Sequence, residues 1–471
     1  MTGPNTFRFL GVKREIATTA DWNHRDWPKL WLYNAHYFDD LVADQSTERA
    51  IWHREILARW IAENPPSLGN GWEPYPTSLR VVNWLKWLCS GQTPPPGMLD
   101  SLAIQVRWLR QRLEHHLLGN HLWANAKALV FAGCLFEGDE ADAWLRDGMH
   151  LLRRELREQI LADGGHFERS AMYHALFLED LLDLAQLGQR CPERIAVADR
   201  GAWHAAATRM LRWLRVMTHP DGGIAFFNDA ALDVAPTLAN LEDYATTIAV
   251  RWDATPLGPI ERLDASGFLR LQMGEAVLIA DVGDVGPSYL PGHAHAGTLS
   301  FELAIGGERL LVNSGISTYA LGALRAWQRG TAAHNTVVVD GQDSSETWAS
   351  FRVARRARVL AVTCESNATG VRLQATHDGY RRLAGKVVHA RVWQLTAHGL
   401  SIEDRLDGGF RSAEARFHVA PGRLVAWHAE GGTGQLQAGQ WYPRFGGAED
   451  NTVLVVRPSG RHWTTHFHWS E

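Results

Sequence analysis

At 471 residues and 52.6 kDa the chain exceeds what one hydrophobic core usually organises, which excludes a single small binding module and predicts two or more domains. Hydrophobic residues at 45% and charged residues at 21% exclude wholesale disorder. The net charge of -5 supplies no basic field for wrapping nucleic acid, so an anionic partner would need a local cationic pocket.

The first residues show no basic segment leading into an apolar run, and no later stretch of about 18 uncharged apolar residues follows. The expectation is a protein without a membrane span. It would be cytoplasmic, or periplasmic or secreted if a leader has been trimmed. Four cysteines without close spacing predict reduced thiols rather than a disulfide or zinc-ribbon scaffold. Trp is abundant at 21, and indole faces suit both cores and sugar rings.

From about Thr47 to Val250 apolar residues recur at helical spacing, as in Ile51, Trp52, Ile56, Leu57, Trp60 and Ile61. Further helical segments are predicted over Leu102–Leu118, His121–Phe136, Ala141–Ile160, Met172–Leu187, Ala202–Met217 and Pro236–Ile248, separated by Gly, Pro and Asp breaks. Antiparallel helices with short loops predict an incomplete (α/α) toroid, with a solenoid of helix pairs as the alternative. Beyond Thr255-Pro-Leu-Gly-Pro259 the pattern changes to short, turn-bounded alternating runs such as Ala276–Asp281, Leu299–Ile305 and Val388–Leu395. These predict an antiparallel β-sandwich, giving an α+β chain with a helical domain over 1–258 and a sheet domain over 259–471.

Several clusters carry chemistry. In Gly292-His-Ala-His-Ala-Gly-Thr-Leu-Ser-Phe-Glu302 two imidazoles stand at i and i+2 before a strand. A Gly306-Gly307 turn would return the chain, gathering His293, His295, Asn313 and Tyr319, and His334 could join from a neighbouring strand. A His295, Asn313, His334 set suits a borderline metal such as zinc, with Asn a poorer ligand than a carboxylate. Solvated histidines at a sheet end explain the spacing equally well. In the helical half Asn120 and His121, with Trp123 behind them, stand where a helix starts, and an N-cap role is the competing reading for Asn120. Asp163-Gly-Gly-His-Phe-Glu168-Arg169-Ser-Ala-Met-Tyr173 concentrates reactive groups between two helices. Glu73, Tyr75 and Arg80 lie near another helix start, where Arg80 is an anion clamp or a surface salt bridge. His36 and its aromatic neighbours could line a sugar subsite or pack helices.

At these residues the sequence resembles the heparinase II/III-like superfamily, over nearly the whole chain. The resemblance rests on Gly292–Leu303, Val312-Asn-Ser-Gly315 and Arg329–Gly341, with Leu32–Asp39, Gly119-Asn-His121 and Asp163–Tyr173 in the helical half. It implies a toroid and a β-sandwich, and β-elimination at a uronic-acid-containing polysaccharide. That reaction must neutralise a carboxylate, remove the weakly acidic C5 proton and protonate the departing O4. By resemblance Asn120 neutralises the carboxylate with Arg80 as helper, Tyr173 is the acid or shared acid/base, His121 and His293 are base or stabiliser, and Tyr319 supplies a second phenol. Glu73, Tyr75, His36, Trp123, Glu168 and Arg169 are the expected substrate contacts. The family's structural zinc would fall on His295, Asn313 and His334, with Asn313 replacing an acidic ligand and Gly297 standing where many relatives have Asp. Three alternatives remain open: a uronyl C5-epimerase, a glycoside hydrolase using Glu73, Glu168 or Asp229, and a non-catalytic polysaccharide-binding protein. The sequence leaves the oligomeric state open and implies no organic cofactor.

Overall fold

The computed structural model describes residues 1–469. After a short hairpin of strands Thr6–Phe9 and Val12–Glu15, nine α-helices follow among the described residues: α1 (Lys29–Tyr37), α2 (Ala50–Glu63), α3 (Pro74–Cys89), α4 (Met98–Arg110), α5 (Gly119–Leu135), α6 (Asp139–Gln159), α7 (Ala171–Arg190), α8 (Val197–Val216) and α9 (Leu238–Thr247). A tenth, α10 (Ala323–Arg329), interrupts the sheet-rich remainder. Among the described residues no helix is long and apolar enough to cross a membrane.

Two compact units form, one from Met1–Gln159 and Asp183–Trp203, the other from Ile160–Leu182 and from His204 onward. Helix α7 therefore contributes its first turns to the sheet-bearing unit and its last turns to the helical one. The predicted change of texture falls in the irregular segment between α9 and the strand Ile260–Leu263.

In the helical unit α5 is apolar almost all round and buried along most of its length, as a central helix must be. Two glycines let α6 approach it closely: a Cβ at Gly133 would meet the Leu145 nitrogen at 2.5 Å, and one at Gly148 would meet Val130 Cγ2 at 2.8 Å. Helix α4 ends at Arg110, short of the predicted Leu118. Asn125 Oδ1 captures the Glu114 N–H at 2.8 Å and Asn125 Nδ2 donates to the Glu114 carboxylate at 3.0 Å, so polar bonds hold 111–118 as a loop.

In the second unit a nine-stranded antiparallel sheet runs, in spatial order, through Gly432–Trp441, Glu449–Pro458, Ala413–Val419, Glu308–Leu311, Phe301–Ile305, Ala276–Asp281, Phe268–Met273 and Ile260–Leu263, with Val337–Val339 also paired to Ala413–Val419. A six-stranded sheet runs through Val359–Asn367, Gly370–His377, Val388–Leu395, Gly399–Asp407, His462–His468 and Ala426–Glu430. Strand Val388–Leu395 buries every second residue, and Trp393 and Phe467 from this sheet share one core with Phe301 and Phe417 from the other. The core therefore lies between two antiparallel sheets, a β-sandwich. The predicted turn at Gly306 and Gly307 forms, with φ of 59° and 87°, and pairs Ile305 with Glu308.

Ten indoles, from Trp22 to Trp463, are among the largest fully buried side chains, so the Trp content serves cores. Burial also holds many imidazoles neutral. His36, His174 and His418 are pushed down to about 3, and His166, His219, His377 and His389 are lowered too. Each takes up a proton on unfolding once the pH drops below about 6.5, so its stabilising contribution is present above that pH and lost as pH falls. Asp39 and Asp281, raised by burial to about 6 and about 7, act in the opposite sense but are fewer. The thermal midpoint is expected to drop between pH 7 and pH 5. Calorimetry finding it level or higher at pH 5 would refute this balance.

Candidate active site

Within the sheet-bearing unit one carboxylate organises the chemistry. Asn228 and Asp229 follow α8 in a tight segment, with Asn228 at φ 59°. Asn228 Nδ2 donates to the Arg169 carbonyl at 2.7 Å and its Oδ1 accepts the His295 N–H at 3.1 Å, while the Asp229 N–H donates to the His293 carbonyl at 3.0 Å. These bonds join the loop before α7 to the His293–His295 segment.

The Asp229 side chain is fully buried and is met by four donors. His293 Nδ1 lies 2.8 Å from Oδ2, His295 Nε2 lies 2.7 Å from Oδ1, and the Arg325 guanidinium grips both oxygens, with Nη2 at 2.7 Å from Oδ2. Arg325 beside it, together with both imidazoles, holds this carboxyl well below the usual range although burial opposes that. A carboxylate on Nδ1 fixes the His293 tautomer, so Nε2 presents its lone pair outward, 3.7 Å from Glu168 Oε2. The His293 side chain keeps 15% exposure, enough for a proton to be taken there.

Two phenols meet this imidazole. The Tyr173 and Tyr319 hydroxyls are 2.9 Å apart, and the Tyr173 ring packs on His293 with centroids 4.0 Å apart. Desolvation raises both phenols well above 10, with Asp229 and Glu168 adding to it, so both are protonated at rest. Phe351 and Phe445 pack against Tyr319 at 5.3 and 4.9 Å and fix its ring. Tyr173, His293 and Tyr319 are thus brought together. Glu168 joins them, whereas Arg169 is turned to the Asp284 carbonyl.

Of the predicted metal set, His295 and His334 meet: His295 Nδ1 and His334 Nε2 are 3.2 Å apart. Their outer nitrogens both face acceptors, Asp229 for His295 and the Gly330 carbonyl at 2.8 Å for His334. With one proton per neutral ring placed on each outer nitrogen, two lone pairs converge across the gap. A second buried pair behaves differently. His377 Nε2 and His389 Nδ1 are 3.1 Å apart, but the chain starts at the Gly379 N–H, which donates to His377 Nδ1, and ends at Asp404. Two neutral rings complete that chain, whereas the His295–His334 pair leaves two acceptor nitrogens facing each other. Burial lowers proton affinity at both to about 4 and about 3, and the separation suits two ligands of one ion at about 2.0–2.1 Å each. The Asn313 Oδ1 accepts the Asn335 N–H at 3.1 Å, and its Nδ2 is buried.

The helical unit holds the other candidates. The N-cap of α5 is Leu118, not Asn120, which stands half-exposed in the first turn. His121 Nδ1 lies 2.9 Å from Glu114 Oε1, and its ring faces Tyr75 at 4.4 Å. Glu73 bonds Tyr33 and pairs with Lys29 at 3.0 Å. Three predicted contacts are corrected by burial. Arg80 is inaccessible, its guanidinium 3.9 Å from the Trp60 ring with Nε donating to Gln105 at 2.8 Å, so it is neither clamp nor surface salt bridge. His36 is locked between the Trp22 carbonyl and Trp60 Nε1, each at 3.0 Å. Trp123 is 1% exposed and cannot stack on a sugar.

The sequence pattern described as Heparinase II/III N-terminus matches residues 96–251, and that described as Heparinase II/III-like, C-terminal matches residues 255–469. The chain belongs to the heparinase II/III-like superfamily. Within that superfamily it is similar to FtsZ-localized protein C of Caulobacter vibrioides, with 29% identity over 430 residues covering 85% of this chain and 67% of that protein. It is also similar to the heparin-sulfate lyase of Bacteroides stercoris, with 26% identity over 255 residues covering 49% of this chain and 37% of the relative. The chain spans less than half the length of the heparin-sulfate lyases it matches. Among solved structures, heparinase III superposes with a TM-score of 0.75 at 17% identity, covering 98% of this chain and 79% of that one. The heparan sulfate lyase HepC mutant from Pedobacter heparinus superposes at 0.67 and 18%, covering 98% and 81%. The fold is the toroid plus β-sandwich of those structures.

Asp229 as partner of both histidines, Arg325 as its counter-ion and Glu114 as partner of His121 were missed by sequence reasoning. The Phe227-Asn-Asp-Ala230 segment was the available signal: a polar pair inside an apolar run that follows a Gly222-Gly223 turn.

Proposed function

We propose that this superfamily member is a polysaccharide lyase that cleaves an acidic, uronic-acid-containing polysaccharide by β-elimination. The observation that carries the reading is the phenol pair of Tyr173 and Tyr319 packed on a His293 whose tautomer Asp229 sets. His293 Nε2 takes the C5 proton, the C–H electrons become the C4–C5 double bond, and the C4–O4 bond breaks. A phenol delivers its proton to O4, and its neighbour 2.9 Å away can replace it. Phenols held protonated by burial suit the acid role better than the base role. Asn120, neutralising the uronate carboxylate, and His121, an alternative base, enter by family resemblance.

The hydrolase alternative loses two of its three carboxylates, because Asp229 is saturated by four donors and Glu73 is held by Tyr33 and Lys29, and it rests on Glu168 beside His293. An epimerase would share the first step and differ in leaving the chain intact. The name of the Caulobacter relative favours a second reading, an FtsZ-localized protein. Incubation with a panel of uronate polymers that includes heparan sulfate distinguishes these. The lyase reading expects shorter chains ending in an ultraviolet-absorbing conjugated double bond. Shorter chains without it, or no change across the panel, would overturn it.

The family's structural zinc fits His295 and His334 and not Asn313. These two imidazoles would hold the ion, which would brace the His293–His295 segment and supply no step of the reaction.

A further inference from the structure

We infer that the outer edge of the six-stranded sheet carries a surface site for a divalent transition-metal ion, held by His428, His466 and Glu430. It is separate from the His295–His334 pair and independent of the proposed reaction. Strand Ala426–Glu430 is the last of its sheet and pairs antiparallel with His462–His468, which sets His428 directly opposite His466. Glu430, two residues on, shares their face because side chains alternate along a strand. The Nε2 atoms of both histidines lie 3.7 Å from Glu430 Oε1, and the three donor atoms all lie within 4.8 Å of one another. Among the described residues this is the one such group of three or more His, Cys, Asp or Glu side chains.

The remaining nitrogens are already engaged in the way metal-bound histidines require. His466 Nδ1 lies 2.8 Å from Ser401 Oγ and His428 Nδ1 lies 3.3 Å from His468 Nε2. Protons on those Nδ1 atoms leave a lone pair on each Nε2, both 3.7 Å from Glu430 Oε1, and these outer bonds fix each ring's tautomer. The three rings of His428, His466 and His468 stack within 13° of parallel. Tetrahedral ligands at about 2.0–2.1 Å from an ion sit about 3.3 Å apart, so closure moves the carboxylate by a few tenths of an ångström and splays the two stacked rings, drawing donors that lie within 4.8 Å of one another closer by up to about 1.5 Å. Glu430, 69% exposed, is free to move. Two imidazoles, one carboxylate and an open fourth position favour zinc, copper, nickel or cobalt over calcium or magnesium. The bound ion would clasp the edge strand to its neighbour.

The test uses the full chain stripped with chelator and titrated with zinc chloride, then with cobalt chloride for its visible spectrum. Wild type is compared with His428→Ala/His466→Ala and with His334→Ala. The double variant is expected to keep the wild-type circular dichroism, to bind one ion fewer, and to lose a zinc-induced rise in thermal midpoint. Any ion lost in His334→Ala belongs to the interior pair. Ser401→Ala, which removes the bond orienting His466, should weaken the surface site by about tenfold or more. Equal stoichiometry and equal midpoint shift in wild type and double variant would overturn the inference, as would a wild type that takes up no zinc.

Discussion

Replacing Asp229 with alanine is expected to destabilise the sheet-bearing unit by about 3–5 kcal/mol, the cost typical of removing one partner from a buried ion pair. Arg325 is fully buried and its guanidinium spans both Asp229 oxygens, so the variant strands a cation away from water. His293 and His295 lose their acceptor in the same change. Asp229→Asn tests the charge separately, because it retains the volume but sets an amide donor against the donors of Arg325. Denaturant titration of both variants should give large losses, with alanine at least as damaging as asparagine. A loss below about 1 kcal/mol in both would show that the Arg325 pairing contributes little net stability.

Tyr173→Phe should instead leave stability nearly unchanged and remove turnover. The ring keeps its packing on His293, and only the hydroxyl bonded to Tyr319 is lost. Loss of a positioned general acid costs about 10²–10⁴-fold in kcat. KM should move little, since the phenol proton is needed as the C4–O4 bond breaks rather than when substrate binds. Tyr319→Phe removes the replacing proton and is expected to cost less. Full activity in Tyr173→Phe would assign the acid to another group.

The secondary structure was legible because its signals are local. Period 3.6 in the helical half and period 2 with glycine turns in the sheet half require only a few neighbouring residues. Helix α4 was overextended because its end is decided by Asn125 and Glu114, 11 residues apart and joined through side chains. The same limit governs the site. His293 and His295 were visible as a motif, but the carboxylate that orients them is 64 residues earlier than His293, and its Arg325 is 96 residues later than Asp229. Arg80 and His36 read as reagents because composition does not report burial. Their partners, Trp60 and Gln105 for Arg80 and Trp22 and Trp60 for His36, come from other helices or loops. Of the two departures from the family pattern seen in the sequence, at Asn313 and Gly297, the first has a visible partner: the Asn313 side-chain oxygen accepts the Asn335 N–H, while His295 and His334 face each other.

The most direct measurement of the elimination chemistry is mass spectrometry of products formed in ¹⁸O-labelled water from a polyuronide that the protein degrades. Elimination predicts fragments whose masses sum to that of the substrate, one of each pair carrying the double bond and neither carrying the label. A new reducing end with ¹⁸O and a mass gain of one water would contradict the account.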